Sequence, residues 1–326
     1  MLLALVAVVM HAWSCSSLYT TRNVPSFPDP TTLQHLPARV AVVGDLQRTG
    51  TVETWRENND QHRPRIIAGI LADRPTALVL LGDMVWWGAN ESDWDYFDRL
   101  MQPVHESKIG VLPTLGNHDY YGNDNDAMAN VMARWPWFRQ DGIVRVIDSV
   151  AWIILNTNAD DIGAERMNAH LRWFARSLAL ADADSSVLAI IVCGHHPPYT
   201  NSTVVPPDKL IQRNFVPLFV ASQKGALWLS GHAHTYERFD ISGRVFVVSG
   251  GGGGPRQALQ AGSATRYRDQ YTGAAIRPLH HLLVERHGSA LAVIMRPLHI
   301  ASEPVHASDT VHIEVGGTDH TVGMQE

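Results

Sequence analysis

The chain has 326 residues, 45% of them hydrophobic, enough for one large domain or two small ones with a sizeable core. A formal charge of -6 excludes a general nucleic-acid binder, because that function needs a basic face. It leaves room for a small anionic substrate, since a bound cation overrides net charge locally.

Residues 2–10 form an apolar stretch too short to span a bilayer as a helix. The stretch reads as the hydrophobic part of a secretory signal covering residues 1–14, with no Lys or Arg before it. Ala12-Trp13-Ser14-Cys15 resembles a bacterial lipobox. That resemblance implies an exported protein of the bacterial cell envelope, attached to a membrane through lipid on Cys15. Cys193, the other of the two cysteines, then has no intrachain disulfide partner. Residues 15–37 are rich in Ser, Thr and Pro, as in Val24-Pro25-Ser26-Phe27-Pro28-Asp29-Pro30, and read as an extended tether.

From Arg39 onward strands and helices alternate. Residues 40–43, 77–81, 111–115, 150–155, 187–192 and 227–229 are short apolar runs of strand length. Between them, residues 63–72 carry Ile66, Ile67, Ile70 and Leu71 at helical spacing, residues 94–101 read as helix, and residues 168–180 place Leu171, Phe174 and Leu178 on one face. The last third changes character, with strands at 245–248, 281–284 and 291–295 and no helix between them. Alternation followed by consecutive strands predicts an α/β fold with a mixed sheet, or two stacked sheets, flanked by helices. Residues 250–254 are five consecutive glycines. No Lys-Ser/Thr follows them, so they read as a flexible or tightly turned loop and not as a phosphate loop. A single domain over 38–300 and a polar tail over 301–326 complete the division.

Five apolar runs end in ligand-type residues. The segments are Gly44-Asp45-Leu46-Gln47, Gly82-Asp83, Gly116-Asn117-His118-Asp119, Gly194-His195-His196-Pro197 and Gly231-His232-Ala233-His234. In α/β sheets ligands bind beyond the carboxyl ends of strands. A glycine before each ligand lets the backbone turn and approach closely. Each segment alone is an ordinary polar turn; their order, each at a strand end, points to a metal site. Carboxylate oxygens, imidazole nitrogens and a carboxamide suit Mn, Fe, Zn or Mg better than a thiolate-selecting ion. Cys193 lies inside an apolar run and reads as a small core residue.

This series resembles the calcineurin-like metallophosphoesterases over residues 39–298, and Gly231-His232-Ala233-His234-Thr235-Tyr236-Glu237-Arg238 resembles the purple-acid-phosphatase branch. The resemblance implies a four-layer α/β/β/α sandwich of two mixed sheets flanked by helices. It implies two divalent or trivalent metal ions, with Asp83 bridging both. Asp45 and His234 would bind the first, with Gln47 where the family usually has histidine. Asn117, His195 and His232 would bind the second, and His196 would pack beside them. His118 would face the scissile phosphate, with Asp119 orienting its ring. Two departures stand out. Gln47 supplies a neutral amide oxygen, a weaker ligand that favours a harder ion. Trp86 stands where the purple branch has a ligating tyrosine, and its indole N–H only donates, so no iron–tyrosinate colour is expected.

The activity implied is hydrolysis of phosphate mono- or diesters by a metal-activated water, with His118 stabilising or protonating the leaving group. The partner is then a phosphorylated small molecule, contacted by Arg48, Asn117, His118 and Tyr120. Arg48 is weighed against a solvated surface arginine. Tyr120, Tyr121 and Tyr199 directly follow ligand motifs and are expected at the rim, placed to stack an aromatic leaving group. Trp86, Trp87, Trp94, Trp135 and Trp137 read mainly as packing under loops. Arg256, Arg266 and Arg268 are candidates to attract an anion, with surface solvation as the alternative. The competing function is a catalytically inactive metal-binding or scaffolding protein on the same fold.

Overall fold

The computed structural model describes residues 24–30, 37, 39–50, 55–315 and 322–323. Cys15 and the rest of residues 1–23 lie outside the described residues. The chain order begins β1 (Arg39–Val43), α1 (Arg63–Ala72), β2 (Ala77–Leu81), α2 (Glu91–Ser107) and β3 (Gly110–Thr114). It continues through α3 (Asp124–Arg134), β4 (Ile143–Ile147), β5 (Val150–Ile154), α4 (Ala159–Ala183) and β6 (Ala189–Gly194). Two short helices, α5 (Lys209–Asn214) and α6 (Val216–Ala221), precede β7 (Gly225–Ser230), β8 (Tyr236–Ile241) and β9 (Arg244–Ser249). The last strands are β10 (His280–His287), β11 (Ala290–Pro297), β12 (Asp309–Glu314) and β13 (Val322–Gly323).

Among the described residues these strands form two mixed sheets, ordered β13-β12-β11-β10-β1-β2-β3 and β4-β5-β6-β7-β9-β8. The run β1-β2-β3 is parallel, as is β5-β6-β7-β9, and antiparallel strands flank each run. Burial on both faces explains why β2 reads as the uninterrupted Ala77-Leu78-Val79-Leu80-Leu81. Successive side chains point to opposite faces. In β6, Ala189, Ile191 and Cys193 join the core shared with β1–β3, while Ile190 and Val192 pack with Phe174 of α4 and Phe219 of α6. On the far side, Ile66, Ile67 and Ile70 of α1 and Trp94, Phe97 and Met101 of α2 cover the first sheet. The layers are therefore helix, sheet, sheet, helix. No helix among the described residues is long and apolar enough to cross a membrane.

Two segments differ from the sequence reading. Residues 24–30, read as tether, are docked. Phe27 is 1% exposed and stacks on Trp135 with ring centroids 5.2 Å apart. Its amide donates to Arg134 O (2.8 Å), its carbonyl accepts from Trp137 Nε1 (3.0 Å), and Asp29 pairs with Arg145 (2.7 Å). One buried aromatic side chain is worth about 1.5–3 kcal/mol, and the surrounding Ser and Pro hide it from a composition argument. The polar tail likewise enters the fold. β12 pairs with β11, burying Val311 and Ile313, and Asp309 accepts from Arg238 Nε (2.7 Å) and Tyr236 Oη (2.8 Å) of β8.

Candidate metal centre

The parallel runs bring the carboxyl ends of β1, β2, β3, β6 and β7 to one rim. Beyond β1 and β2 the two exits stay bonded: Asp45 N donates to Gly82 O (3.0 Å) and Gln47 N to Asp83 O (2.9 Å). Asp45, Asp83 and His232 adopt left-handed backbone, with φ of 63°, 52° and 67°. Such strain in residues with a Cβ gathers at functional sites. Gly116 has no alternative at its position, since a Cβ there would lie 2.1 Å from Asp83 Oδ1.

All seven residues predicted as ligands meet in this hollow. Asp45, Asp83 and His195 offer ligand atoms within 4.8 Å of one another, as do His195, His196 and His232. The two oxygens of Asp83 face different neighbours. Oδ2 accepts from Gln47 Nε2 (3.2 Å), which also lies 3.0 Å from His234 Nε2, itself 3.5 Å from Asp45 Oδ1. Oδ1 lies 3.4 Å from His195 Nε2, which stands 3.3 Å from Asn117 Oδ1 and 3.1 Å from His232 Nδ1.

The far sides of the rings set their tautomers. His195 Nδ1 donates to Leu81 O (2.7 Å) and His234 Nδ1 to Pro255 O (2.8 Å), so the protons sit there and each Nε2 faces the hollow. Metal-binding histidines are held this way. Asp45 accepts the His232 amide on both oxygens, at 3.0 and 3.1 Å. Gln47 Oε1 is buried with no hydrogen-bond partner among the described residues. Acceptors crowded on acceptors need protons or a cation between them, and this donor set fits a cation.

The electrostatics carry the same signature. Burial alone would raise the Asp83 carboxyl, but His195 and His118 outweigh it and hold the group well below the usual carboxylate range. Burial alone would lower His195, but Asp83 and Asp45 push it up to about 9. Burial and the His195 charge press His232 down and hold His196 at about 3, where its Nδ1 meets Thr157 Oγ1 at 3.0 Å.

Several expectations need correction. Asp119 does not orient His118: its oxygens accept the amides of Met84 (2.9 Å), Val85 (3.3 Å) and Gly116 (2.9 Å), and the Trp86 carbonyl takes His118 Nδ1–H at 2.9 Å. Arg48 is committed to Asp60 (2.9 Å) and lies over Tyr96, away from a phosphate role. Tyr120 is 4% exposed and its hydroxyl accepts from Asn156 Nδ2 (2.8 Å), so it is core and not rim. Tyr199 is buried against Phe246. Arg256 pairs with Glu57 and Glu303, and Arg266 Nη1 donates to Thr200 O and Ser202 O. Of the two readings of the glycine run, flexible or tightly turned, the second holds: Gly252 N donates to Gly44 O and Gly254 N to Asp45 O, both at 2.9 Å.

Sequence reasoning missed Arg63. Fully buried at the start of α1, its Nη2 donates to Gln47 O and Gly253 O, both at 2.7 Å, joining the first ligand loop to the glycine run. An arginine before a proline gives no signal of that role.

Residues 38–236 match the calcineurin-like phosphoesterase family. The chain belongs to that family. Purple acid phosphatase 22 of Arabidopsis thaliana is 24% identical over 251 residues, covering 71% of this chain and 54% of that protein. The probable purple acid phosphatase 20 of the same plant is 25% identical over 283 residues, 80% of this chain and 60% of the relative. The chain thus spans little more than half the length of these curated relatives. Among solved structures, a dimetal phosphatase from Danio rerio shares the fold at a TM-score of 0.54 and 13% identity, covering 80% of this chain and 96% of its own. GAP50, the anchor in the inner membrane complex of Plasmodium, matches with the same score at 15% identity, over 79% of this chain and 83% of its own. Calcineurin-like phosphoesterases thus include the architecture described above, with the ligand-type residues at its strand ends.

Proposed function

We propose that this phosphoesterase hydrolyses phosphate mono- or diesters of small molecules, with two cations and with water as the nucleophile. Asp45, Gln47 and His234 would hold one cation, Asn117, His195 and His232 the other, and Asp83 both. Bound there, the ions supply positive charge to phosphate oxygens and make water a nucleophile at neutral pH. One observation carries the reading: two imidazole Nε2 atoms and two buried carboxylates converge on one hollow, with both ring N–H groups tied to carbonyls behind.

His118 stands at the edge of this set, its amide donating to Asp83 Oδ1 (3.0 Å). Because Nδ1–H is committed to Trp86, Nε2 is the atom left to meet a leaving-group oxygen. In its protonated form His118 gives the Nε2 proton as the water oxygen bonds to phosphorus and the ester P–O bond breaks. The electron pair goes to the departing oxygen, and an alcohol and a phosphate leave.

The test combines metal analysis with turnover of p-nitrophenyl phosphate and its bis ester. Metal uptake with release of p-nitrophenol is expected, and Asp83→Asn should lose both cations and the activity. A protein that takes up no metal and leaves both esters intact would support the inactive scaffold instead.

A further inference from the structure

The turn His118–Tyr120 is a 3-10 helix, in which side chains three apart eclipse. This geometry brings the ring of Tyr121 against that of His118, tilted by 45° with centroids 4.4 Å apart. On another side of the imidazole stands Trp86, at 4.5 Å, whose own carbonyl holds Nδ1. The Tyr121 hydroxyl in turn accepts Asn117 Nδ2 at 2.9 Å, which turns Oδ1 toward His195 Nε2. The residue is held from behind as well: Ala89 N donates to the Tyr121 backbone carbonyl (3.0 Å), and Trp87 packs edge-on against its ring at 5.5 Å. One half-buried side chain therefore touches both a residue of the metal hollow and the proton-carrying histidine.

We propose that Tyr121 is a positioning residue with two separable duties. Its hydroxyl aims the Asn117 amide oxygen into the hollow, and its ring, with Trp86, holds His118 in one orientation toward the leaving group. The second duty rests on the phosphoesterase reading; the first does not. A free imidazole ring samples several rotamers, and removing that freedom before reaction is what orientation contributes to rate.

Three variants separate the duties: Tyr121→Phe, which removes only the hydroxyl, Tyr121→Leu, which removes the ring too, and Trp86→Leu. Each is checked for folding by circular dichroism. It is then assayed for Mn2+ or Zn2+ affinity and for kcat and KM on phenyl phosphate and p-nitrophenyl phosphate. Partners behind a ligand typically matter 10–100-fold for metal affinity. Tyr121→Phe should therefore weaken one of the two bound ions about tenfold while keeping the ratio of kcat between the esters once metal is restored. In Tyr121→Leu and Trp86→Leu, kcat for phenyl phosphate, whose poorer leaving group needs the proton more, should fall about tenfold further than kcat for the nitrophenyl ester. KM should hold, and neither ring substitution should add to His118→Ala.

Equal losses on both esters, or a further loss in the His118→Ala background, would overturn the ring's duty and reduce it to packing. Unchanged metal affinity in Tyr121→Phe would overturn the hydroxyl's duty. Should Tyr121→Leu fail to fold, Trp86→Leu and Tyr121→Phe still decide the two duties. A folded, metal-loaded wild type that cleaves neither ester would overturn the phosphoesterase reading and the ring's duty with it, while the metal titration still judges the hydroxyl.

Discussion

His118 and Asp119 are adjacent carboxyl-to-imidazole neighbours that face opposite ways. Asp119 turns inward to take three backbone amides and so fixes the exits of β2 and β3. His118 keeps one ring face toward Tyr121 and its Nδ1 on the Trp86 carbonyl. Removing the imidazole should therefore leave the hollow intact. His118→Ala is expected to lower kcat on phosphate esters by about 10²–10⁴, the usual reach of one acid–base group. Metal content, measured by elemental analysis, should not change; loss of the ions would place His118 among their ligands. At this scale the ligand-type residues were legible because each follows a strand end. Their partners were not. Nothing in the spacing says that Arg48 finds Asp60, or that the tight turn sends Tyr120 into the core and Tyr121 to the hollow.

Strands and loops that read as filler turn out to brace the site. The glycine run threads between β1 and the His234 loop, and a Cβ on Gly254 would lie 2.5 Å from the His234 ring. Gly254→Ala should displace that ring, weakening one metal position while the other is retained. A titration showing two unaltered affinities would mean the loop gives way freely. β8 escaped the sequence reading because Glu237 and Arg238 are buried in it, inverting the apolar pattern of a strand. Glu237 accepts from Thr200 Oγ1 (2.5 Å) and Asn201 N (2.8 Å), pinning the loop after β6. Burial pushes its carboxyl from 4.5 up to about 7. Between those values the native chain holds a proton that the unfolded chain has released. Stability from this group is thus full below about pH 4.5 and is lost as pH rises through about 7. The loss is on the order of 1–3 kcal/mol. Glu237→Gln mimics the protonated acid and should flatten that slope in urea melts of metal-free protein from pH 5 to 8. An unchanged slope would assign it to another group. The helices and strands with strong apolar runs were legible, whereas α3, β4 and β12 bury too few apolar residues to stand out.

Across the whole molecule, the hollow is where the two sheets are tied. Asp45, Asp83 and Asn117 follow strands of one sheet, and His195 and His232 follow strands of the other. Among the bonds that span them there are His195 Nδ1 to Leu81 O, the His232 amide to Asp45, and Gly252 N to Gly44 O. The order of strands in each sheet was not legible, since β10 pairs with β1 across most of the chain, yet parallel runs alone suffice to collect their carboxyl ends on one rim. A cation held there by residues of both sheets binds the native state and finds no such site in the unfolded chain. At a hundredfold excess over Kd such a ligand adds about 2.7 kcal/mol of stability, roughly 5 °C in Tm for a domain of this size. Adding Mn2+ or Zn2+ to chelator-treated protein should raise Tm by about that amount. The same addition to Asp83→Asn should raise it by far less, because that substitution weakens the one carboxylate facing both halves of the hollow. An equal rise in both proteins would mean the ion binds elsewhere, and the two sheets would then be held at this rim by their own hydrogen bonds alone.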